Sequence, residues 1–487
     1  MTAPSLARAE RIGLFRPKIR GRLRAMRILW LAAFTTLVAC SSADPPAPPE
    51  VHLLVGQENE TWSAEPAPTR VQIELVESTR RRVIGEASAP ASVITIGNPG
   101  LAQQALASFE ATGLDAAGTP IVHGASVTYV VFDLNSVVIP IFVARSSSWS
   151  RPLENLEHAR NYPVAIVASH RYLIAAGGEV KDVSPAVPDV YDTINWRAVK
   201  DEQRPPFPRA PKTMVLVEAA AALLCIDDTG ATWNLLEAYP PRIANEPAPA
   251  GLAFSEVAGG EVFELRDANL NVTSTFVVGA TRTSGDPTSK VLRVDDKGNL
   301  RALTLAVPRL GAAAGVVAGN LVVWGGSAEG AGAEVLTRSE DAFSPLPFPP
   351  DATAGLGLAA LDGTTAVLAG GKDPMTGAAA ALRTFDVICT ADCATAELAA
   401  APMALQRTHV FPLAAGNLLV TGDSDDGEFH AFSVLTSSGT PEIAERPLRE
   451  RRKGATSLLL PTGQPGVLGG EDPESGAPAM SVEAFFF

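Results

Sequence analysis

Residues 321–326, Leu321-Val-Val-Trp-Gly-Gly326, form a burst of apolar residues closed by two glycines. The pattern recurs as Leu173-Ile-Ala-Ala-Gly-Gly178, Phe276-Val-Val-Gly-Ala280, Ala366-Val-Leu-Ala-Gly-Gly371, Leu418-Leu-Val-Thr-Gly422 and Gly466-Val-Leu-Gly-Gly470. From Gly279 onward, the first glycines of successive units lie 46, 45, 52 and 47 residues apart. A strand-like unit with a period of roughly 40 to 50 residues is typical of a β-propeller.

The 101 residues between Gly178 and Gly279 span about two periods and contain a weaker unit. The apolar run Ala219–Ile226 is followed there by Asp227-Asp-Thr-Gly-Ala-Thr-Trp233. The stretch from Asp228 to Trp233 is similar to the Asp-box of sialidase-type propellers, a turn between outer strands that carries no chemistry. Counting this unit, the sequence predicts seven blades over residues 139–487, which the chain enters through Ile139–Ala144. We expect the C-terminal Val482–Phe486 to close the ring in one blade with the segment around Trp149, because an open propeller would leave exposed sheet edges.

The repeats resemble those of the kelch family, in which an apolar tetrad and a Gly-Gly pair precede a Tyr and a Trp. The residues that carry the resemblance are Gly177, Gly178, Tyr191, Trp196, Gly325, Gly326, Gly370, Gly371, Gly469 and Gly470. The resemblance implies a kelch-like, galactose-oxidase-type propeller. Glycine suits these positions because strands approach closely near the axis and the turns need positive φ.

Residues 51–138 predict a small β-domain before the propeller. Val71-Gln-Ile-Glu-Leu75 alternates apolar and polar residues, as a strand with one buried face does. Phe109–Leu114 and Pro120–Gly124 flank a turn and predict a hairpin. About seven short strands in this length fit an immunoglobulin-like β-sandwich. The fold class expected from the sequence is therefore all-β, a sandwich followed by a propeller.

The N-terminal segment predicts export and lipid anchoring. An apolar run, Ile28–Ala39, is too short to span a bilayer but suits the core of a signal peptide. It ends Leu37-Val-Ala-Cys40, which resembles the lipobox of bacterial lipoproteins. That resemblance implies an acylated Cys40 (palmitate or a related chain) anchored in membrane lipid, with 1–40 as the signal peptide. An ordinary secretory signal with a chance cysteine is the alternative, and Met26 is a candidate true start.

Residues 41–50 form a Pro-rich tether that would hold the folded part away from the lipid. No Asp follows Cys40, since Ser41 and Ser42 come next; by enterobacterial rules this favours the outer membrane. The expected location is the cell envelope, on the periplasmic or the surface face.

Charge and cysteine content exclude several functions. Residues 1–39 hold eight of the 39 basic residues and one of the 53 acidic residues, so the remainder has a net charge near −21. Such a surface repels nucleic acid, and no nucleic-acid partner is expected. Cys389 and Cys393 predict a small loop disulfide in an oxidising compartment, whereas Cys225 predicts a buried thiol.

The sequence predicts no catalytic site, metal or cofactor. The copper site of galactose oxidase needs a crosslinked Tyr–Cys pair and two His ligands, and no such set occurs here at a fixed spacing. The acidic turn Asp423–Glu428 could bind calcium, but an ordinary acidic turn is the simpler interpretation. His158, Arg160, Arg407 and His409 precede inner strands and are candidates for binding at a mouth of the central channel.

These features favour a non-enzymatic, membrane-anchored binding or scaffold lipoprotein with an unknown protein or glycan as its ligand. The alternative is a divergent extracytoplasmic, carbohydrate-active enzyme. Polar side chains that converge at one mouth of the channel would favour the enzyme.

Overall fold

The computed structural model describes residues 48–487 except 78–79, 98–104, 132–136, 169, 181–182, 201–205, 218–221, 235–242, 268–270 and 437–439. The predicted signal peptide, Cys40 and most of the tether lie outside the described residues. Residues from Ala47 to Phe487 form one compact unit. Among the described residues no helix is long and apolar enough to cross a membrane.

The N-terminal part is a mixed sheet of eight strands, called here the N-terminal sheet. Its strands are β1 (Glu50–Val55), β2 (Arg70–Glu77), β3 (Arg80–Ser88), β4 (Val93–Thr95), β5 (Ala105–Leu114), β6 (Pro120–Ala125), β7 (Tyr129–Val131) and β8 (Val138–Arg145). They are ordered β3-β2-β5-β6-β8-β1-β4, and β7 also pairs with β5. Val71, Ile73 and Leu75 are buried on one face of β2, as their alternation predicts.

Seven sheets of four strands follow, and they are the blades of a seven-bladed β-propeller. Blade 1 comprises β10 (Val164–Ala168), β11 (Tyr172–Ala176), β12 (Asp189–Asp192) and β13 (Arg197–Ala198). Blade 2 comprises β14 (Thr213–Val217), β15 (Ala222–Ile226), β16 (Gly230–Asn234) and β17 (Ile243–Glu246). Blade 3 comprises β18 (Glu261–Arg266), β19 (Val272–Val278), β20 (Thr288–Asp295) and β21 (Leu300–Arg309). Blade 4 comprises β22 (Ala313–Val317), β23 (Asn320–Trp324), β24 (Ala333–Leu336) and β25 (Ser344–Leu346). Blade 5 comprises β26 (Ala354–Asp362), β27 (Thr365–Lys372), β28 (Leu382–Asp386) and β29 (Ala396–Ala399).

Blade 6 comprises β30 (Gln406–Pro412), β31 (Leu418–Asp423), β32 (Phe429–Leu435) and β33 (Glu442–Glu445). Blade 7 joins both ends of the propeller chain. Its strands are β34 (Thr456–Leu459), β35 (Pro465–Leu468), β36 (Glu483–Phe486) and β9 (Ser148–Ser150), with Phe485 opposite Trp149. The predicted closure, in which the C-terminal strand pairs with the segment around Trp149, is confirmed.

Apolar clusters between neighbouring blades complete the ring. On β11, Leu173 and Ala175 pack toward blade 7, whereas Ile174 and Ala176 pack toward blade 2. Further clusters join each following pair of blades, up to blades 6 and 7. Strands buried on both faces have continuous apolar sequences, which explains why the repeats appear as apolar bursts.

The paired glycines have the backbone conformation expected of them. Gly177 and Gly178 have φ values of 67° and 70°, which side chains rarely adopt. A methyl group on Gly178 would lie 2.2 Å from the carbonyl oxygen of Asn161. The weaker unit forms blade 2, where Asp227 and Thr229 make the turn that joins β15 and β16.

One strand lies elsewhere than the sequence suggested. The expected boundary at residues 138 and 139 made Ile139–Ala144 the entry into the propeller, but β8 pairs with β1 and β6 in the N-terminal sheet. The run Ile139–Ala144 is continuously apolar because one face of β8 packs in the N-terminal sheet and the other packs on the propeller. Ile139, Ile141 and Val143 lie in the core of the N-terminal sheet, whereas Phe142 and Ala144 contact the propeller.

The cysteines are arranged as the sequence suggested. Cys389 and Cys393 are joined by a disulfide. Cys225 is a buried free thiol on β15, and burial raises its pKa to about 12. At neutral pH Cys225 is therefore an unreactive apolar residue.

Candidate functional site

A cavity of about 860 Å³ lies at the centre of the propeller, and the inner strands of all seven blades line it. Each blade contributes at least one aliphatic side chain, and we call one such set the apolar lining: Ile166, Leu216, Val262, Val316, Leu358, Val410 and Leu458. A mostly apolar concavity with a few polar groups is the usual form of a small-molecule site.

The polar groups of the cavity are concentrated near the beginning of the inner strands. We call the group formed by Glu261, Arg407, His409, Asp423 and Ser457 the polar end. Glu261 begins β18 in blade 3, whereas Arg407 and His409 lie on β30 in blade 6. The polar end thus joins blades that are far apart in the ring.

A backbone irregularity positions Arg407. The pairing of β30 with β31 shifts register between Gln406 and His409, and Arg407 has a φ of 48°. Such a bulge redirects side chains. Blades 3, 4 and 7 have glycines with positive φ two residues before their inner strands, at Gly259, Gly311 and Gly454.

Blade 1 has Tyr162, with a φ of 53°, at the corresponding place, and the Arg407 guanidinium lies 4.6 Å from the centre of its ring. The left-handed conformation costs a non-glycine residue about 1 kcal/mol or more. Arg407 and Tyr162 both bear that cost, and their side chains contact each other.

Arg407 forms an ion pair with Asp423, and its Nε donates to Oδ2 over 2.6 Å. Burial raises the pKa of Asp423, and the charge of Arg407 offsets this rise only in part. The other carboxylate oxygen, Oδ1, is buried and has no hydrogen-bond partner. Buried polar atoms normally have partners, so this oxygen is an exception within the site.

His409 connects three blades through hydrogen bonds. Its Nδ1 lies 2.8 Å from Ser457 Oγ, which lies 2.9 Å from Thr421 Oγ1. Its Nε2 lies 3.5 Å from Glu261 Oε1. Burial lowers the pKa of His409, but the hydrogen bond and charge of Glu261 outweigh it, so the pKa is raised overall.

The sequence-predicted candidates fall into two groups. Arg407 and His409 line the cavity together. His158 and Arg160 do not line it; both bind Asp189, with His158 Nδ1 at 2.9 Å and Arg160 Nε at 2.6 Å. The side chain of Arg160 has no exposed surface. Arg160 therefore stabilises the blade and is not available to a ligand at the channel.

Potential metal ligands near His158 and in the acidic turn Asp423–Glu428 already have protein partners. Potential ligand atoms of Glu157, His158 and Asp189 lie within 4.8 Å of one another. Both oxygens of Asp189 already accept hydrogen bonds, one from Arg160 and one from His158. In the acidic turn, Asp425 accepts from Lys372, and Asp426 accepts from Ser424. Because these carboxylates have protein partners, the described contacts favour an ordinary acidic turn over a calcium site.

Sequence reasoning did not identify Glu261 and Ser457. Both lie on inner strands, and the repeat signature, which falls on the second strand of each blade, does not mark them. Asp423 was noted only as part of the acidic turn. The sequence signal that could have identified them is a polar residue within an otherwise apolar inner strand.

No protein-family model matches the sequence, and no curated protein matches it. A solved structure titled "Streptogramin B lyase structure" matches with a TM-score of 0.43 and 9% sequence identity, over 69% of this chain and 96% of that chain. The strand pairing itself defines the class of this chain, an all-β protein with a seven-bladed β-propeller.

Proposed function

We propose that this chain is an exported lipoprotein, anchored in a membrane through acylated Cys40, whose kelch-like propeller binds a ligand in its central cavity. The observation that carries the binding role is the cavity of about 860 Å³ with its apolar lining and polar end. The ligand is a small molecule or the terminal part of a protein or glycan chain. The proposed location is the outer membrane, on its periplasmic or surface face.

Two finer assignments belong to this proposal. The kelch type is supported by the repeated Gly-Gly turns and by Tyr191 and Trp196, which are buried in blade 1. An immunoglobulin-like class for the N-terminal sheet is supported by its strands β1, β2, β5 and β8, whose buried residues share one core.

The anchor can be tested by cell fractionation. Cys40→Ala should move the protein from the membrane pellet into the soluble fraction or block its processing, because acyl chains supply the membrane affinity. Wild type should carry an acyl mass on its N-terminal peptide. A variant that still pellets, together with wild type lacking the acyl mass, would refute the anchor.

The binding role can be tested by native mass spectrometry of protein purified from its own membrane. Val262→Phe should reduce the cavity volume and remove a ligand that copurifies with wild type. Val83→Phe is the matched control, because Val83 is exposed on the N-terminal sheet. Equal ligand masses on wild type and Val262→Phe, or none on wild type, would contradict binding in the cavity.

The second candidate is an extracytoplasmic carbohydrate-active enzyme. The observation that favours it is the convergence of Ser457, His409 and Glu261 in one hydrogen-bonded chain, since a hydroxyl, a base and an orienting acid form a nucleophilic site. A fluorophosphonate probe should then label wild type but not Ser457→Ala. Absence of label on wild type would reject this nucleophilic site, and ligand binding would stand as the proposed function.

A further inference from the structure

We propose that the central cavity binds a small amphiphile with an uncharged polar head group. This inference rests on the proposed ligand-binding function and specifies its ligand class. The apolar lining comes from all seven blades, so a bound molecule meets aliphatic groups on every side. Burying an apolar chain there is favourable because it removes apolar surface from water.

The charges in the cavity determine which head group fits. Arg407 is paired with Asp423, and His409 with Glu261. Toward the other end of the inner strands, Arg266 is paired with Glu264. Lys212 lies 3.3 Å from Asp228. Each of these charged groups that line the cavity already has a partner of opposite sign.

A charged head group would therefore gain no unpaired counter-charge and would lose its own hydration. An uncharged hydroxyl group loses less hydration free energy, and it can donate and accept hydrogen bonds at once. An ester group also loses less, but it can only accept. The polar end presents such donor–acceptor pairs side by side, and the unpartnered Oδ1 of Asp423 is a buried acceptor beside them.

A wholly polar ligand fits the cavity less well. Its hydroxyl groups would lie against the apolar lining without hydrogen-bond partners, and each such group lowers the affinity. An amphiphile avoids this cost, because its chain contacts the apolar lining while its head lies at the polar end.

Three probes with the same eight-carbon chain test the charge selectivity: 1-octanoylglycerol, sodium octanoate and octylammonium chloride. Isothermal titration below their micelle concentrations should show the neutral probe binding the compact unit from Ala47 to Phe487 at least roughly tenfold more tightly than either charged probe, about 1.4 kcal/mol. Val262→Phe should abolish this binding, and Val83→Phe should not. Equal or tighter binding of a charged probe would overturn the proposal.

Asp423→Asn tests the cause of the selectivity. It leaves Arg407 without its counter-charge, so octanoate should gain roughly tenfold in affinity relative to wild type. Adding Arg407→Gly should reverse the gain, and glycine occupies the corresponding left-handed position in three other blades. Asp341→Asn, at an exposed carboxylate paired with Arg293 away from the cavity, is the matched control.

Failure of this inference is distinguishable from failure of the proposed function. If no eight-carbon probe binds but a ligand copurifies and is lost in Val262→Phe, the ligand class is wrong while the binding function stands. If neither occurs, both are wrong. An octanoate affinity unchanged by Asp423→Asn would also reject the charge argument.

Discussion

Three arginines occupy equivalent places, four residues before the inner strands of blades 1, 4 and 7. Arg160, Arg309 and Arg452 have no exposed side-chain surface, and each pairs with a carboxylate on the third strand of the blade that follows it. Each also donates from Nη1 to the carbonyl of the first glycine in the Gly-Gly turn. A guanidinium has enough donors to satisfy both groups at once.

Replacing Arg309 with Met should destabilise the propeller by about 3–5 kcal/mol, because Glu334 would remain buried without its partner. Chemical denaturation of the full chain measures this loss. Arg338→Met, at an exposed arginine in blade 4, where Glu334 lies, is the control and should change stability by less than about 0.5 kcal/mol. Similar values for both variants would show that the buried pair contributes nothing specific.

The titration of His409 reports on its pairing with Glu261. Because its folded pKa is raised above the ordinary value of about 6.5, the pair stabilises the fold below that value. This contribution is lost as pH rises through the folded pKa. NMR titration should give a midpoint above 6.5 in wild type and a lower one in Glu261→Gln. Glu445→Gln, beside His430, should leave the His409 midpoint unchanged; a wild-type midpoint at or below 6.5 would contradict the pairing.

Two of the four candidate channel residues predicted from the sequence line the cavity, and the reason lies in the backbone. Arg160 and Arg407 both stand near the start of an inner strand, which hydrophobic periodicity can locate. Periodicity does not reveal the bulge in β30, and that bulge brings Arg407 to the axis. Arg160 lies before β10, and its side chain hydrogen-bonds to Asp189 and Gly177 within blade 1 instead.

At the scale of single elements, β36 supplies both an ion-pair partner and the aromatic residues that close the ring. Glu483 on β36 is the partner of Arg452, and Phe485 and Phe486 are buried on opposite faces of the strand. The C-terminal aromatic residues indicated this closure from the sequence. The position of β8 was not evident, because a strand buried on both faces looks the same in either domain.

Deleting residues 481–487 should lower the melting temperature of the whole propeller, because it opens the ring and exposes the edges of β35 and β9. Phe486→Ala is the milder change and should cost about 3–5 kcal/mol. Leu459→Ala, at an exposed inner-strand position, is the control. A truncated protein that keeps its full melting temperature would refute closure through β36.

At the scale of the whole molecule, the N-terminal sheet is attached where the ring closes. Phe142 on β8 lies 4.7 Å from Trp196 in blade 1 and 5.2 Å from Phe486 in blade 7, measured between ring centres. Glu58 accepts hydrogen bonds from Ser150 and Arg151 at the closing strand. The sheet thus covers the joint between the first and last blades.

This attachment predicts that the sheet and the propeller unfold together. Calorimetry of the full chain should give one transition whose calorimetric and van't Hoff enthalpies agree. Phe142→Ala removes the ring between the two parts and should separate or broaden the transition while destabilising it by about 3–5 kcal/mol. Val138→Ala, at an exposed position on the same strand, should leave a single transition. Two separate transitions in wild type would mean that the N-terminal sheet is an independent domain and does not hold the ring closed.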